Sequence, residues 1–317
     1  MDTHSCPHFV RQSKLGWNKM SEKNVIIQLT GCVKSRLMVI PTFTFPALIN
    51  LVIAAYLVPN VIDVVKLFVC VTLTAYAVYW FNDYIDYKDD IESAKFGETA
   101  PAQRPLAKGW VTKYIFQSFI VTAMILGLLI ALTINFQVFL AQLAFLAIGY
   151  LYSSHPIRLK KRFLGKQFTI LAGALIASLT GALVVGVILP QNVYCFVINF
   201  LLYLSGPSLG DIRDYFGDRS LGVKTLPVVF GPEMTVRLAI ATFIAVILAG
   251  VVGYYNIGFN LALPILTTII IVSWIYSVYP IINRWKDSNY VHKIVYERII
   301  PMNILMQLIP VIGMIAL

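Results

Sequence analysis

The sequence predicts an all-α polytopic membrane protein with nine transmembrane helices in one bundle, and three observations predict it. Of the 317 residues, 58% are hydrophobic and 13% charged, with a mean hydropathy of +0.77. Soluble domains carry about 25% charged residues, so here there is too little polar sequence to coat a core and lipid must take that place. Nine apolar runs reach the roughly 17–25 residues that a helix needs to cross the hydrocarbon layer. Lys and Arg gather between alternate runs. A membrane β-barrel is excluded because the period-2 alternation of its strands is absent.

Residues 1–35 are polar and basic and read as a partly disordered tail, not a signal peptide, since the first apolar run is span-length with no small-residue cleavage site behind it. His4, Cys6 and His8 in this tail read as incidental. The predicted spans are 37–57, 62–81, 114–133, 136–152, 168–189, 193–209, 236–254, 261–282 and 299–317. They form a single domain, 36–317, with loops 82–113, 153–167 and 210–235 at one end. Pro41, Pro46, Pro207 and Pro264 fall within spans and are expected to kink them; a kink at Pro207 would aim the segment that follows. Asn50, Gln142, Asn199, Asn303 and Gln307 are mid-span amides, suited to hydrogen bonds between helices.

Nine crossings put 24 of the 25 basic residues on one side, leaving Lys66 on the other. The bias and the placement of the long loops both make that side cytoplasmic, with the N-terminus inside and the C-terminus outside. The net charge of +10 therefore belongs to membrane topology, and no nucleic-acid partner is expected. Cys6, Cys32, Cys70 and Cys195 show neither disulfide nor zinc spacing.

Two acidic clusters stand out. Asp83, Asp86 and Asp90 follow the second span at i, i+3, i+7, and Asp211, Asp214 and Asp218 follow the sixth at the same spacing. On a helix these offsets fall within about 60° of arc, so each triad forms one stripe of like charge that nothing in helix stability favours. Solvated charges capping two helix ends are the plain alternative, which repetition of the spacing at equivalent ends disfavours. A cation is expected to hold each stripe together. Oxygen donors without His or thiolate select a hard ion, and Mg²⁺ takes one or two carboxylates, waters and phosphate oxygens. Two facing triads would thus hold Mg²⁺ with a diphosphate between them.

Asn82-Asp83-x-x-Asp86-x-x-x-Asp90 and Asp211-x-x-Asp214-x-x-x-Asp218 resemble the two aspartate-rich motifs of the UbiA superfamily of intramembrane prenyltransferases. Arg104 to Gly109, Tyr152 to Lys160 and Gly217 to Pro227 are similar to further stretches of it, and the likeness covers about residues 35–317. It implies a helix bundle around a central cavity open to lipid and an enzyme that ionises an isoprenyl diphosphate and transfers the allylic chain to an aromatic or other lipophilic acceptor. Under that resemblance Asp83, Asp86, Asp211 and Asp214 are catalytic, and with Asp90 and Asp218 they hold Mg²⁺. Asn82 hydrogen-bonds beside the first metal position. Arg104, Lys108, Arg158, Lys160 and Lys224 are candidates for the diphosphate, although positive-inside loops are basic in any membrane protein. Asn50 either reaches the acceptor or bonds a neighbouring helix.

An allylic cation needs aromatic walls. Tyr76, Tyr79, Trp80, Phe81, Tyr84, Tyr150 and Tyr152 are candidates, with Tyr84 and Tyr152 the foremost, against interfacial anchoring as the plain role. Arg219 is expected to pair with Asp218, and residues 91–103 to form a lid. No GxSxG, HExxH, Cys/His pair or Walker loop occurs, which favours metal-assisted ionisation over covalent catalysis. An intramembrane terpene cyclase using the same triads, or a secondary transporter, are the alternatives; a transporter's sites lie near the midplane rather than at one face.

Overall fold

The computed structural model describes residues 24–94 and 104–315, all helix and connecting loop. The elements are α1 (Val25–Ser35), a π turn (Ile40–Thr44), α2 (Phe45–Ala54), α3 (Val61–Ala94), α4 (Lys113–Ile134), α5 (Phe136–Ser153), α6 (Gly165–Val185), α7 (Pro190–Arg213), α8 (Tyr215–Ser220), α9 (Leu226–Phe230), α10 (Pro232–Val252), α11 (Ala262–Val278), α12 (Ile281–Arg284), α13 (Ser288–Ile294), a π turn (Val295–Ile299) and α14 (Ile300–Met314), with a further π turn (Gly253–Ile257) after α10. Among the described residues eight helices are long and apolar enough to cross a membrane, and a ninth span is formed if α1 and the helix Ile40–Ala54 are taken together across their 57° bend. The protein is an integral multi-pass membrane protein.

Two expected boundaries move. The tail was expected to run to residue 35, yet Asn24 caps α1 by accepting from the Ile26 N–H at 3.0 Å. The helix that follows docks on the bundle, with Trp80 donating to the Cys32 carbonyl at 3.3 Å. The loop expected from residue 82 begins as helix instead. α3 runs unbroken for 34 residues, about 50 Å at 1.5 Å per residue, because nothing between Asn82 and Ala94 is Gly or Pro. Polarity ends an apolar run without ending a helix. The tail site at His4, Cys6 and His8 and most of the expected lid, 95–103, lie outside the described residues.

The prolines behave according to position. Pro41 and Pro46 each stand at the second residue of a helical segment, and the 57° break of the first span precedes both, between Ser35 and Ile40. Pro207 lies inside α7, which continues through it. Pro264 stands in the first turn of α11, where its missing N–H has no helical partner to lose, so no kink results.

The buried apolar residues form two clusters. One joins α1, α2 and α3 to α6; the other joins α2 and α7 to the helices from α10 onward. Small residues allow close contact within and between them. A Cβ on Gly181 would stand 1.9 Å from the Ala47 carbonyl oxygen, and one on Gly149 would stand 2.5 Å from Val78. Outward-facing residues such as Ile265, Ile269, Val272 and Tyr276 on α11 are exposed apolar side chains at helical spacing, as lipid-facing surfaces require. The mid-span amides tie helices together as expected: Gln142 accepts from Thr74 at 2.5 Å and donates to Thr180 at 3.0 Å, and Asn199 donates to Ser178 at 2.9 Å while accepting from Gln307 at 2.5 Å.

Candidate functional site

The seam between the two clusters opens at one end of the bundle into a cleft of about 150 Å³. Asn82, Asp86 and Asp90 line it from α3, Tyr152 from α5, Lys160 and Lys161 from the α5–α6 loop, Lys166 from α6, and Asp214 and Asp218 from the segment after α7; Arg104 closes it. The structure thus brings together residues from both triads that are more than a hundred positions apart in sequence.

The first triad lies along α3 as its spacing predicts. Asp83, Asp86 and Asp90 are all buried, and their mutual repulsion is relieved by basic side chains. Arg36 donates to Asp83 through Nε at 2.9 Å and through its terminal nitrogen. Arg104 pairs with Asp90 and lies 3.6 Å from Asp83. Lys160 pairs with Asp86, and Arg158 bridges Asp86 at 3.1 Å and Asp89 at 2.6 Å. Arg158 achieves this with φ at 42°, a left-handed conformation that costs a non-glycine residue energy and recurs at functional sites. Ser153 donates to the Asn82 side-chain oxygen at 3.0 Å, and Lys160 approaches the same atom at 3.4 Å.

The second triad departs from a single stripe. α7 ends at Arg213, Asp214 is the joint, and Asp218 rides on the separate helix α8. Asp211 is buried and paired with Lys166. Asp214 is held by Arg213 through two bonds of 2.6 Å. The tyrosine of the last π turn completes this wall: Arg213 stacks over the Tyr296 ring at 4.5 Å, Tyr296 stacks on His292 at 4.9 Å, and a Cβ on Gly210 would sit 2.9 Å from the Tyr296 hydroxyl. Burial lifts the Asp218 carboxyl to about 7 against the pull of Lys166. Burial also lowers the Lys160 ammonium, with Asp86 opposing. For Arg104 burial is outweighed by Asp83 and Asp90, which hold its charge more firmly than usual.

Arg and Lys side chains pair with Asp83, Asp86, Asp90, Asp211 and Asp214 of the two triads. With these pairs in place, no three His, Cys, Asp or Glu side chains among the described residues are gathered closely enough to hold a metal ion. The donor set nonetheless fits a hard cation. Asp90, Asp211 and Asp218 each keep one buried carboxylate oxygen, Oδ2, without a hydrogen-bond partner, and anionic oxygens of that kind are what Mg²⁺ takes.

Several expected site residues stand elsewhere. Asn50 donates to Pro46 and accepts from Asn192 at 3.0 Å. Asn192 begins α7, and nineteen residues of helix place it about 28 Å from Asp211, so Asn50 belongs to the far end of the bundle. Lys108 is exposed over the Trp110 ring at 4.6 Å, and Lys224 is exposed beyond the cleft lining. Tyr84 accepts from Gln117 at 2.6 Å and faces α4. Arg219 reaches Tyr215 at 3.2 Å rather than Asp218, because on α8 residues four apart share a face whereas adjacent residues diverge.

Sequence reasoning passed over Arg36, Asp89, Lys161, Lys166, Arg213 and Tyr296. Arg36 and Lys166 did carry a signal, each being the last cation before an apolar run. That is also where a topology-setting charge sits, and the two roles look alike in sequence.

The family model described as the UbiA prenyltransferase family matches residues 43–293. Digeranylgeranylglyceryl phosphate synthase of Thermococcus sibiricus is 32% identical over 53% of this chain and 56% of its own length. The protein of the same name from Methanosphaera stadtmanae is 30% identical over 71% of this chain and 78% of its own. The chain therefore spans little more than half of the first relative and over three quarters of the second. Among solved structures, a UbiA homolog from Archaeoglobus fulgidus bound to GPP and Mg²⁺ superposes with a TM-score of 0.68 at 18% identity, covering 89% of this chain and 99% of that one.

Proposed function

The chain belongs to the UbiA prenyltransferase family, and from that membership we propose that it ionises an isoprenyl diphosphate and transfers the allylic chain to a lipophilic acceptor. The observation that carries this reading is the cleft itself, where two sets of aspartates from opposite halves of the bundle meet a ring of Arg and Lys. A site that gathers both signs so densely suits a charged ligand that brings its own counter-ions, and a diphosphate with a divalent cation is one.

Asp90, Asp211 and Asp218, with their free oxygens, are the residues that would hold Mg²⁺, joined by Asp83, Asp86 and Asp214. Bound there, Mg²⁺ would neutralise diphosphate charge and stabilise the leaving group. The protein's own contribution begins with Arg104, Arg158, Lys160 and Lys166, which exchange carboxylate partners for phosphate oxygens and orient the leaving group. Asn82, held by Ser153, fixes the first wall. Tyr152 presents an aromatic face beside the cleft that stabilises positive charge without capturing it. The allylic carbon–oxygen bond breaks with its electron pair going to diphosphate, an acceptor electron pair forms the new bond to carbon, and the acceptor's proton passes to the released diphosphate. The names of the curated relatives favour a glyceryl phosphate lipid over an aromatic ring as acceptor. The cleft opens to the cytoplasm in this reading, supported by the Lys and Arg bias.

The test is release of diphosphate from labelled isoprenyl diphosphates of several chain lengths, with Mg²⁺, by the protein in lipid nanodiscs. Mg²⁺-dependent release that falls at least a hundredfold in Asp86→Asn and Asp211→Asn is expected. Turnover indifferent to both changes overturns the mechanism, and product formed equally well without any acceptor points to a cyclase.

A further inference from the structure

Of the five mid-span amides, Asn50, Gln142, Asn199 and Gln307 are engaged with neighbouring helices. Asn303 differs. Its side-chain oxygen is buried and accepts no hydrogen bond among the described residues, while its amide lies beside the Tyr203 hydroxyl. Tyr203 in turn donates to the Thr42 carbonyl at 2.8 Å. That carbonyl is available because residue 46, whose N–H it would meet in an α-helix, is Pro46.

These groups lie along the helices that carry the aspartates. Tyr203 is eight residues before Asp211, about 12 Å deeper along α7, and Tyr79 is four before Asp83, about 6 Å deeper along α3. Tyr79 links the two levels, with the Arg36 guanidinium 5.3 Å from its ring and Phe43 edge-on at 5.9 Å. α14, which carries Asn303, packs against the π turn of Thr42 and against α7. Residues 37–55, 67–82, 191–210 and 299–315 contain no Asp, Glu, Lys or Arg. The level below the cleft is thus aromatic and uncharged, and the Asn303 amide oxygen is one of its unsatisfied buried oxygens, Ser208 Oγ on α7 being another. Both π turns that border it are of a kind frequent at functional sites.

We propose that Asn303 Oδ1 anchors the hydroxyl of the prenyl acceptor, which makes the acceptor a lipid bearing an alcohol or phenol O–H. The proposal rests on the prenyl-transfer reading. A buried amide oxygen lacking a partner calls for a donor; an O–H supplies it, whereas a carboxylate or an ether would set oxygen against oxygen. Held there, the hydroxyl oxygen turns its lone pair toward the allylic carbon beneath the diphosphate. The new carbon–oxygen bond forms as the bond to diphosphate breaks with its pair leaving on diphosphate, which also takes the hydroxyl proton. Asn303 orients the nucleophile and does not act as base.

The experiment compares the full chain with Asn303→Leu and Asn303→Ala in nanodiscs, using labelled geranylgeranyl diphosphate, Mg²⁺ and three probes: geranylgeranylglyceryl phosphate, the same lipid with its free hydroxyl methylated, and an alkylphenol. Transfer to at least one hydroxyl probe and none to the ether is expected. Both variants should raise the acceptor KM at least tenfold, with the diphosphate KM and acceptor-free diphosphate release within twofold of the parent. The alanine variant, which adds no bulk, answers the question if the leucine variant aggregates. An unchanged acceptor KM, equal rises in both KM values, or equal transfer to the ether overturns the anchor while leaving prenyl transfer standing. A parent chain that releases no diphosphate and transfers to no probe overturns both.

Discussion

Arg36 and Arg104 meet on Asp83, and that convergence decides what each can do. A charge-assisted hydrogen bond contributes about 1.5–3 kcal/mol, and removing Arg36 leaves the buried Asp83 carboxylate with Arg104 alone, 3.6 Å away. Arg36→Gln should therefore raise the isoprenyl diphosphate KM by about ten- to a hundredfold, because the less neutralised aspartate then repels the ligand's phosphates. Steady-state kinetics at saturating Mg²⁺ measure this, and an unchanged KM would remove Arg36 from the site. Lys224→Ala, changing an exposed side chain outside the cleft lining, should leave the same constant within twofold.

The helices set a different kind of expectation. α2 approaches α6 so closely that Gly181 has no room for a methyl group beside the Ala47 carbonyl; Gly181→Ala should cost about 1–3 kcal/mol in overpacking, read as a lowered unfolding midpoint in detergent. Asn50→Leu removes the side-chain acceptor of the buried Asn192 amide but leaves its bond to the residue 50 carbonyl at 2.9 Å, and should destabilise by about 0.5–1.5 kcal/mol, while activity per folded molecule stays the same. A selective loss of activity in that variant would return Asn50 to the acceptor site. The elements also show how far local reading carries. α3 was legible as a span, but its continuation to Ala94 was not, because hydropathy reports where apolar residues stop and helix propensity does not stop with them. The i, i+3, i+7 spacing after α7 suggested one stripe, whereas Arg213 draws Asp214 into a joint and moves Asp218 onto another helix.

For the molecule as a whole, the cleft lies where aspartates of two packed halves meet, and a ligand that binds both aspartate sets joins those halves. Mg²⁺ with a non-hydrolysable isoprenyl diphosphate should raise the unfolding temperature, by mass action worth about 2.7 kcal/mol at a hundred times Kd; Mg²⁺ alone should raise it less. Equal stabilisation by Mg²⁺ alone would argue against a joint diphosphate site. In intact cells or sealed vesicles of known orientation, a cysteine placed at Lys224 should react only with reagent on the cytoplasmic side, and labelling from outside would invert the topology.

What the sequence determined by itself was the solvent, the spans and the position of the two aspartate clusters, since hydropathy and helical spacing are properties of neighbouring residues along one chain. The tertiary structure decided the partners. Which cation faces which carboxylate, why Asn50 sits at the far end, and why Asn303 alone among the mid-span amides named keeps an unsatisfied oxygen all depend on side chains from helices distant in sequence. The physical reason is that a buried charge or amide takes its energy from whatever packs against it, and no spacing within a single helix encodes that neighbour.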